Sequence, residues 1–409
     1  MWNGEPVAII GANMGGMAAA RALAGRVEAV VYDPGASLQW LPNIHELLSG
    51  LKRPQNLRLQ RAPLVHRYGH QYQRHAVTGI NWRRHILSLD DGSEQFFSRA
   101  IVAVGGVNNT FGVPGASEHA MPFKSVLQCR RIAVRLQETL GRGDALNVVL
   151  VGGGIEGVEA LGEILRRYRH HAGLSLTVVD AASRLLPALP AGVDEHLRAL
   201  CPSTVRFCFG EHVTRVSADS VSLGDTGTLP ADLVIWTGGA GAHPLLADSG
   251  LADDTGFAPV RKTLQSIHNP NVFVVGDAVA DVDGARISPQ AYHAMDMGRL
   301  AARNVDALIR HRPLQAFRPA HKPQLITFGD LDTLLVTDDR VWASPALRSL
   351  KEAVYQLGMA QLDGRRPWRR GTALFRRALE GGIDEAIDLL RAPPALGRMA
   401  GMKQWRKDG

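Results

Sequence analysis

The chain has 409 residues, of which 45% are hydrophobic and 21% charged, which excludes a disordered polypeptide and allows two or three domains with their own cores. No window reaches the roughly 18 consecutive apolar residues of a membrane-spanning helix, so a helical integral membrane protein is excluded. Cys129, Cys201 and Cys208 form no CxxC pair and no secretory leader is legible before Val7, so a reducing, cytoplasmic setting is expected.

The first apolar run, Val7–Ile10, leads into Gly11-Ala12-Asn13-Met14-Gly15-Gly16. This reads as a buried strand, a tight turn and a helix start, and Val30-Val31-Tyr32-Asp33 closes the βαβ unit. That geometry aims backbone N–H groups and the positive end of a helix at a pyrophosphate. Gly11 takes the tight-turn position and Gly16 the helix-packing position. The middle position, normally glycine for close phosphate approach, is Asn13, which can crowd the phosphates or donate to them. Asp33 stands where a ribose hydroxyl is held. A βαβ turn without ligand is the competing reading of this motif alone.

A short helix is expected through Ile44–Leu48, and strands around residues 75–80 and 85–89, closed by Asp90-Asp91-Gly92. Ala100–Val104 reads as a buried strand ending in Gly105-Gly106. Gly112-Val113-Pro114-Gly115 then reads as a turn and a domain crossing. The second fingerprint follows Val148–Val151 as Gly152-x-Gly154-x-x-Gly157, with all three glycines, and Asp180 ends the next strand. An acid there accepts from a 2′-hydroxyl and repels a 2′-phosphate, which favours NADH over NADPH; Arg184 nearby weakens that preference. Ala231–Trp236 repeats the strand that ends in glycines, here Gly238-Gly239, so the two halves read as copies of one fold. Asn271–Val275 is a further buried strand ending in Gly276-Asp277, and a helix is expected from Pro289 to Arg310.

Two fingerprints, each followed by an acidic strand end, imply two dinucleotides face to face. The natural pair is a flavin and a nicotinamide, and the natural chemistry is hydride transfer. Residues 34–60 contain no cysteine, which argues against a flavin-linked disulfide. Cys201 and Cys208 read as packing residues, and His293 as a packed or surface histidine more readily than a proton carrier. Glu159 and Glu163 lie four apart near the start of the second fingerprint helix. For Glu163 the preferred reading is complementation of the helix dipole.

Residues 340–409 carry 14 Lys and Arg against 7 Asp and Glu, which accounts for the whole formal charge of +7. The apolar series Leu347, Leu350, Val354, Leu357, Met359 has a helical period. Arg365-Arg366-Pro367-Trp368-Arg369-Arg370 follows, then Leu374, Phe375, Leu379 and Ile383. Arginines interleaved with aromatic and apolar residues suit a helix lying in a membrane interface. An ordinary packed helix or a homodimer contact is the alternative, and no nucleic-acid motif accompanies the charge.

Taken in order, these motifs resemble the flavoproteins with two dinucleotide-binding domains. Within them the resemblance is to type II NADH dehydrogenases (NADH:quinone oxidoreductases) and to apoptosis-inducing-factor-like ferroptosis suppressors, over about residues 5–337. It implies an α/β fold of two Rossmann-like domains, glutathione-reductase-like, with a C-terminal helical tail. It implies FAD on Gly11, Asn13, Gly15, Gly16, Asp33, Pro42, Val77, Ala103, Gly105, Gly276, Asp277 and Ala291. NADH falls to Gly152, Gly154, Gly157, Asp180 and Gly239. Glu159 takes the place of a glutamate implicated in coupling NADH to quinone. The family's Ala-Gln-x-Ala-x-Gln stretch beside the flavin is here Ala291-Tyr292-His293-Ala294-Met295-Asp296. Tyr292 and Asp296 thus stand where two glutamines face the quinone, and join Glu159 as catalytic candidates.

The expected division is an FAD domain over 1–112 and 263–337, an NADH domain over 113–262 and a basic tail over 338–409. The expected function is FAD-dependent transfer of hydride from NADH and of two electrons onward to a quinone-like acceptor. The expected location is cytoplasmic, peripheral on the inner face of the membrane. A soluble flavin oxidoreductase with another acceptor, or a non-catalytic redox scaffold, remains open at this point.

Overall fold

The computed structural model describes residues 6–224, 227–319, 322–363 and 402–407. They fall into two compact units. One gathers residues from 1–40, 58–107 and 240–320, the other from 41–57, 108–239 and 321–409.

The first unit is built on an all-parallel five-stranded sheet. Its strand order is Val272–Val274, Arg99–Val102, Val7–Ile10, Ala29–Tyr32, Gln71–Gln73. The central strand, Val7–Ile10, is buried along its whole length, as expected for a parallel strand covered on both faces. The fingerprint helix Met14–Leu23 packs on helix Ala291–Ile309. Small residues make this crossing close: a Cβ on Gly298 would overlap the Gly15 carbonyl. An antiparallel meander, Val77–Asn81, Ile86–Leu89 and Glu94–Phe96, completes the unit's larger elements.

The second unit repeats the plan. Its five-stranded parallel sheet runs Ala120–Pro122, Leu233–Trp236, Leu146–Val151, Leu174–Asp180, Val205–Phe209. In both sheets the fingerprint strand lies between the acid-ended strand and the glycine-ended strand, so the internal duplication read from the motifs is a duplication of topology.

An antiparallel four-stranded sheet also belongs to this unit: Gln324–Phe328, Asp332–Val336, Arg340–Ala343 and Lys403–Arg406. Helix Arg348–Asp363 follows its third strand. Val341, Trp342, Ala343 and Leu347 are buried, so the first part of the basic stretch is built into the body of the unit. The arginine–tryptophan run and Leu374–Ile383 lie outside the described residues. Among the described residues no helix is long and apolar enough to cross a membrane.

Candidate functional site

In the first unit the turn after Val7–Ile10 requires glycine twice. Gly11 has φ +90°, a conformation that penalises any side chain. A Cβ on Gly16 would overlap the Gly11 carbonyl. Ala103 packs on the same turn, its N–H donating to Ile10 O at 2.7 Å. Asn13 carries a tie of its own. Its φ is −102°, so no left-handed conformation is needed, and its Oδ1 accepts from Gln39 N at 2.9 Å. The side-chain carbonyl is thereby turned to strand Ser37–Gln39 as a tie.

Asp33 Oδ2 accepts from Ala12 N at 2.8 Å, and Oδ1 from Gly35 N at 2.8 Å and from the Arg61 guanidinium. A carboxylate offers about four acceptor positions, so one remains for a ribose hydroxyl. Gly276 and Asp277 form a tight turn after strand Val272–Val274. Gly15 lies against Val275 and Ala294, which draws the fingerprint helix, the Gly276 turn and the helix at Ala291 together. Gln290, at the N-cap of that last helix, makes no side-chain capping bond. Tyr292 and His293 stand edge to face, 4.3 Å between ring centroids. His293 bonds Ser288 O at 2.9 Å and is buried, consistent with a packed histidine. Asp296 pairs with Arg299 at 2.6 Å. Gly105 follows the glycine-ended strand, and Val77 lies buried in the meander opposite Leu89.

The second unit carries the other fingerprint. Gly152 has φ +111°, and a Cβ on Gly157 would overlap its carbonyl. A Cβ on Gly154 would meet nothing within 4 Å, so the turn has an open side. Asp180 accepts from Gly153 N and, at 2.6 Å, from Ala182 N, leaving capacity for two ribose hydroxyls. Arg184 Nη2 is held by Pro187 O at 3.0 Å and Leu189 O at 3.2 Å. The guanidinium that weakened the NADH preference is tied to loop carbonyls. Trp236 Nε1 donates to Asn109 O at 2.7 Å, and Asn109 N to Gly239 O at 3.4 Å. These bonds clamp the two chain segments that enter and leave the nucleotide sheet.

The same unit contains a buried polar quartet. Helix Ile155–Tyr168 places Glu159 in its second turn, one turn beyond Glu156, the acidic residue of the first turn. Glu159 is 8% exposed and Lys351 is 7% exposed, and the two form an ion pair. Thr327 N donates to Glu159 Oε1 at 3.2 Å. His45, 1% exposed, sets Nδ1 3.2 Å from Glu159 Oε2 and Nε2 2.9 Å from Thr327 Oγ1. Burial pushes the Glu159 carboxyl above its ordinary pKa, against the pull of Lys351 and the Thr327 N–H. Burial also holds His45 well below the ordinary histidine value, reinforced by Lys351, Lys52 and Arg166.

Glu163 lies beyond the first turn of its helix, where Glu156 is the acid that complements the dipole. It is buried and bonds Ser49 Oγ and, at 3.1 Å, Arg166. Pro42 lies in the one-turn 3₁₀ segment Leu41–Asn43, just before His45.

Motif reading missed Arg61, His45, Thr327 and Lys351. Only Lys351 left a sequence signal, since it falls on the apolar stripe of its helix. The three cysteines are free, and burial pushes the Cys201 thiol up to about 12. Neither observation suits thiol redox chemistry.

The two nucleotide-type sheets define a chain with two Rossmann-like units. Residues 5–298 match the pyridine nucleotide-disulphide oxidoreductase family, and the chain belongs to it. A type II NADH:quinone oxidoreductase of Haemophilus influenzae is 24% identical over 384 residues, covering 80% of this chain and 86% of that protein. A demethylphylloquinone reductase of Synechocystis is 23% identical, covering 80% and 84%. The NDH2 structure from Plasmodium falciparum in complex with NADH superimposes with TM-score 0.76 at 14% identity, over 87% of this chain and 94% of that one. The sulfide:quinone oxidoreductase of Aquifex aeolicus gives 0.76 at 14% identity, over 99% and 98%. At these identities the structural likeness establishes the fold.

Proposed function

We propose that this chain is an FAD-dependent NADH:quinone oxidoreductase. The observation that carries the reading is the paired fingerprint: two parallel sheets of one topology, each with an acid bonded to its own glycine turn. The names of the similar proteins support the same reading, and so does the lack of a cysteine pair for a disulfide route. Bound FAD supplies the hydride-accepting and two-electron-donating chemistry.

The chain's own residues have definable tasks. The Gly11–Gly16 turn and Asp33 bind the FAD pyrophosphate and ribose. Asp277 accepts from the ribityl hydroxyls, and the N-terminal end of helix Ala291–Ile309 turns the positive end of its dipole to developing negative charge on the flavin. The Gly152–Gly157 turn and Asp180 bind NADH. Reduction of a quinone by NADH consumes one proton from solvent, and Glu159, a buried carboxyl with a raised pKa, is the group suited to hold it. Tyr292 and Asp296 stand at the flavin-facing helix start as candidate quinone contacts. Membrane attachment through the basic tail is part of the same reading.

The test is spectroscopic. The purified protein should be yellow, NADH should bleach it without oxygen, and a short-chain quinone should restore the colour. A folded protein that releases no flavin on denaturation would sink the assignment.

A further inference from the structure

We propose that Phe111 is a specificity residue for the nicotinamide half of NADH, presenting an aromatic ring against which the nicotinamide packs. The inference deepens the reading of the second fingerprint as the NADH site and rests on it.

Phe111 is unfavourable in two ways. Its φ is +52°, a left-handed conformation that bulky side chains rarely adopt and that persists only when the surroundings enforce it. It is also 66% exposed, more than any other large apolar residue among those described. Neither feature serves a core, yet a set of bonds holds both. Phe111 N donates to Asn109 Oδ1 at 2.8 Å. Asn109 O accepts from Trp236 Nε1, and Asn109 N donates to Gly239 O. A Cβ on Gly238 would come within 3.1 Å of Phe111 Cε2 and 2.7 Å of Trp236 Nε1, so the bare glycine is what admits the ring. A strained and exposed aromatic that its neighbours keep in place points to a ligand contact.

The sheet order says which part of the ligand. Within this unit strand Leu146–Val151 lies between Leu174–Asp180 and Leu233–Trp236, and a dinucleotide crosses the carboxyl ends of such strands. The Gly152–Gly157 turn takes the pyrophosphate in the middle. Asp180 takes the adenosine ribose on one side. The nicotinamide half therefore extends to the other side, over the carboxyl end of Leu233–Trp236. Thr237 ties that end to the fingerprint strand, its Oγ1 donating to Val151 O at 2.8 Å. Phe111 lies against Gly238, one residue further on. A flat, uncharged dihydronicotinamide is a good partner for an aromatic ring, whereas the adenosine half lies at the opposite side of the turn.

ADP-ribose lacks only the nicotinamide of NAD⁺, so the two ligands separate this contact from the rest of the site. Calorimetric titration of the purified full chain with each gives the test, and NAD⁺ avoids turnover. In Phe111→Asn, whose side chain tolerates the left-handed backbone, NAD⁺ should bind about five- to tenfold more weakly, and ADP-ribose as in wild type. Phe111→Gly accepts the same φ without penalty and should show the same split, which guards against a folding defect in the first variant. Phe111→Tyr keeps the ring and should bind both ligands as wild type does. Equal weakening of the two ligands, or unchanged NAD⁺ affinity in Phe111→Asn and Phe111→Gly, overturns the proposal and leaves the reading of the fingerprint standing. A folded wild-type protein that binds neither ligand overturns that reading and the proposal with it.

Discussion

Removing one partner of the Lys351–Glu159 pair should be far more damaging than removing both. Both residues are more than nine-tenths buried, so water cannot replace the lost partner. In Lys351→Met the ionised Glu159 keeps only the Thr327 N–H and hydroxyl as donors, and the cost should be about 3–5 kcal/mol. In Lys351→Met/Glu159→Gln no buried charge is stranded, and the Gln carbonyl can still accept from Thr327 N–H. The two changes should then show a coupling of about 2–3 kcal/mol. The pH dependence has a definite sign. Loss of Lys351 raises the folded-state pKa of Glu159 further, so the variant's penalty is smallest below the unfolded carboxyl value. It grows as pH rises through the folded-state value. Urea unfolding of wild type, both single variants and the double, at pH 5.5 and 8, measures this directly, provided the slope stays constant. Coupling below about 0.5 kcal/mol, or a penalty independent of pH, would refute the description of this pair as a buried charge held by its partner.

Other outcomes follow from the two fingerprints and the tail. Asp180→Ala should narrow the preference for NADH over NADPH in stopped-flow flavin reduction, since like-charge contact with a 2′-phosphate costs several kcal/mol; equal wild-type rates for the two nucleotides would contradict this. Asp277→Ala should lower the flavin-to-protein absorbance ratio while leaving far-ultraviolet circular dichroism intact. Wild-type stability should fall as pH drops below about 6.5, because unfolded His45 gains a proton that the folded ring refuses, and this acid-side loss should shrink in His45→Gln. Excision of residues 364–385, a truncation of the tail that keeps strand Lys403–Arg406, should move the protein from liposome pellet to supernatant, with wild-type binding that needs anionic lipid and weakens with salt. A cut at Thr337 would be uninformative, since it also removes Lys351 and strand Arg340–Ala343. If the tail were a dimer contact, truncation would change the sedimentation mass instead.

What could be read in the sequence was what depends on a few consecutive residues. A glycine at φ +90° or +111° next to a helix start leaves a local mark, and so does an acid at the end of an apolar run. The two nucleotide folds and the acids bonded to their glycine turns were therefore legible. The environment of Glu159 was not, because its partners come from three other segments, with Lys351 192 positions away. Lys351 was counted among the charges of a basic tail, although Leu347, Lys351 and Val354 share one helical face. A charge on an apolar stripe is the mark of a buried partner, and that mark was outweighed by the arginines that follow. Asn13 shows the opposite case. As a departure from the glycine rule it suggests crowding at the phosphates or donation to them, whereas the bond its side-chain carbonyl accepts from Gln39 N leaves no mark in the sequence. His45 had no legible signal at all. Thr327 and Glu159 approach it from two directions, and only the folded unit brings those two groups to the same ring.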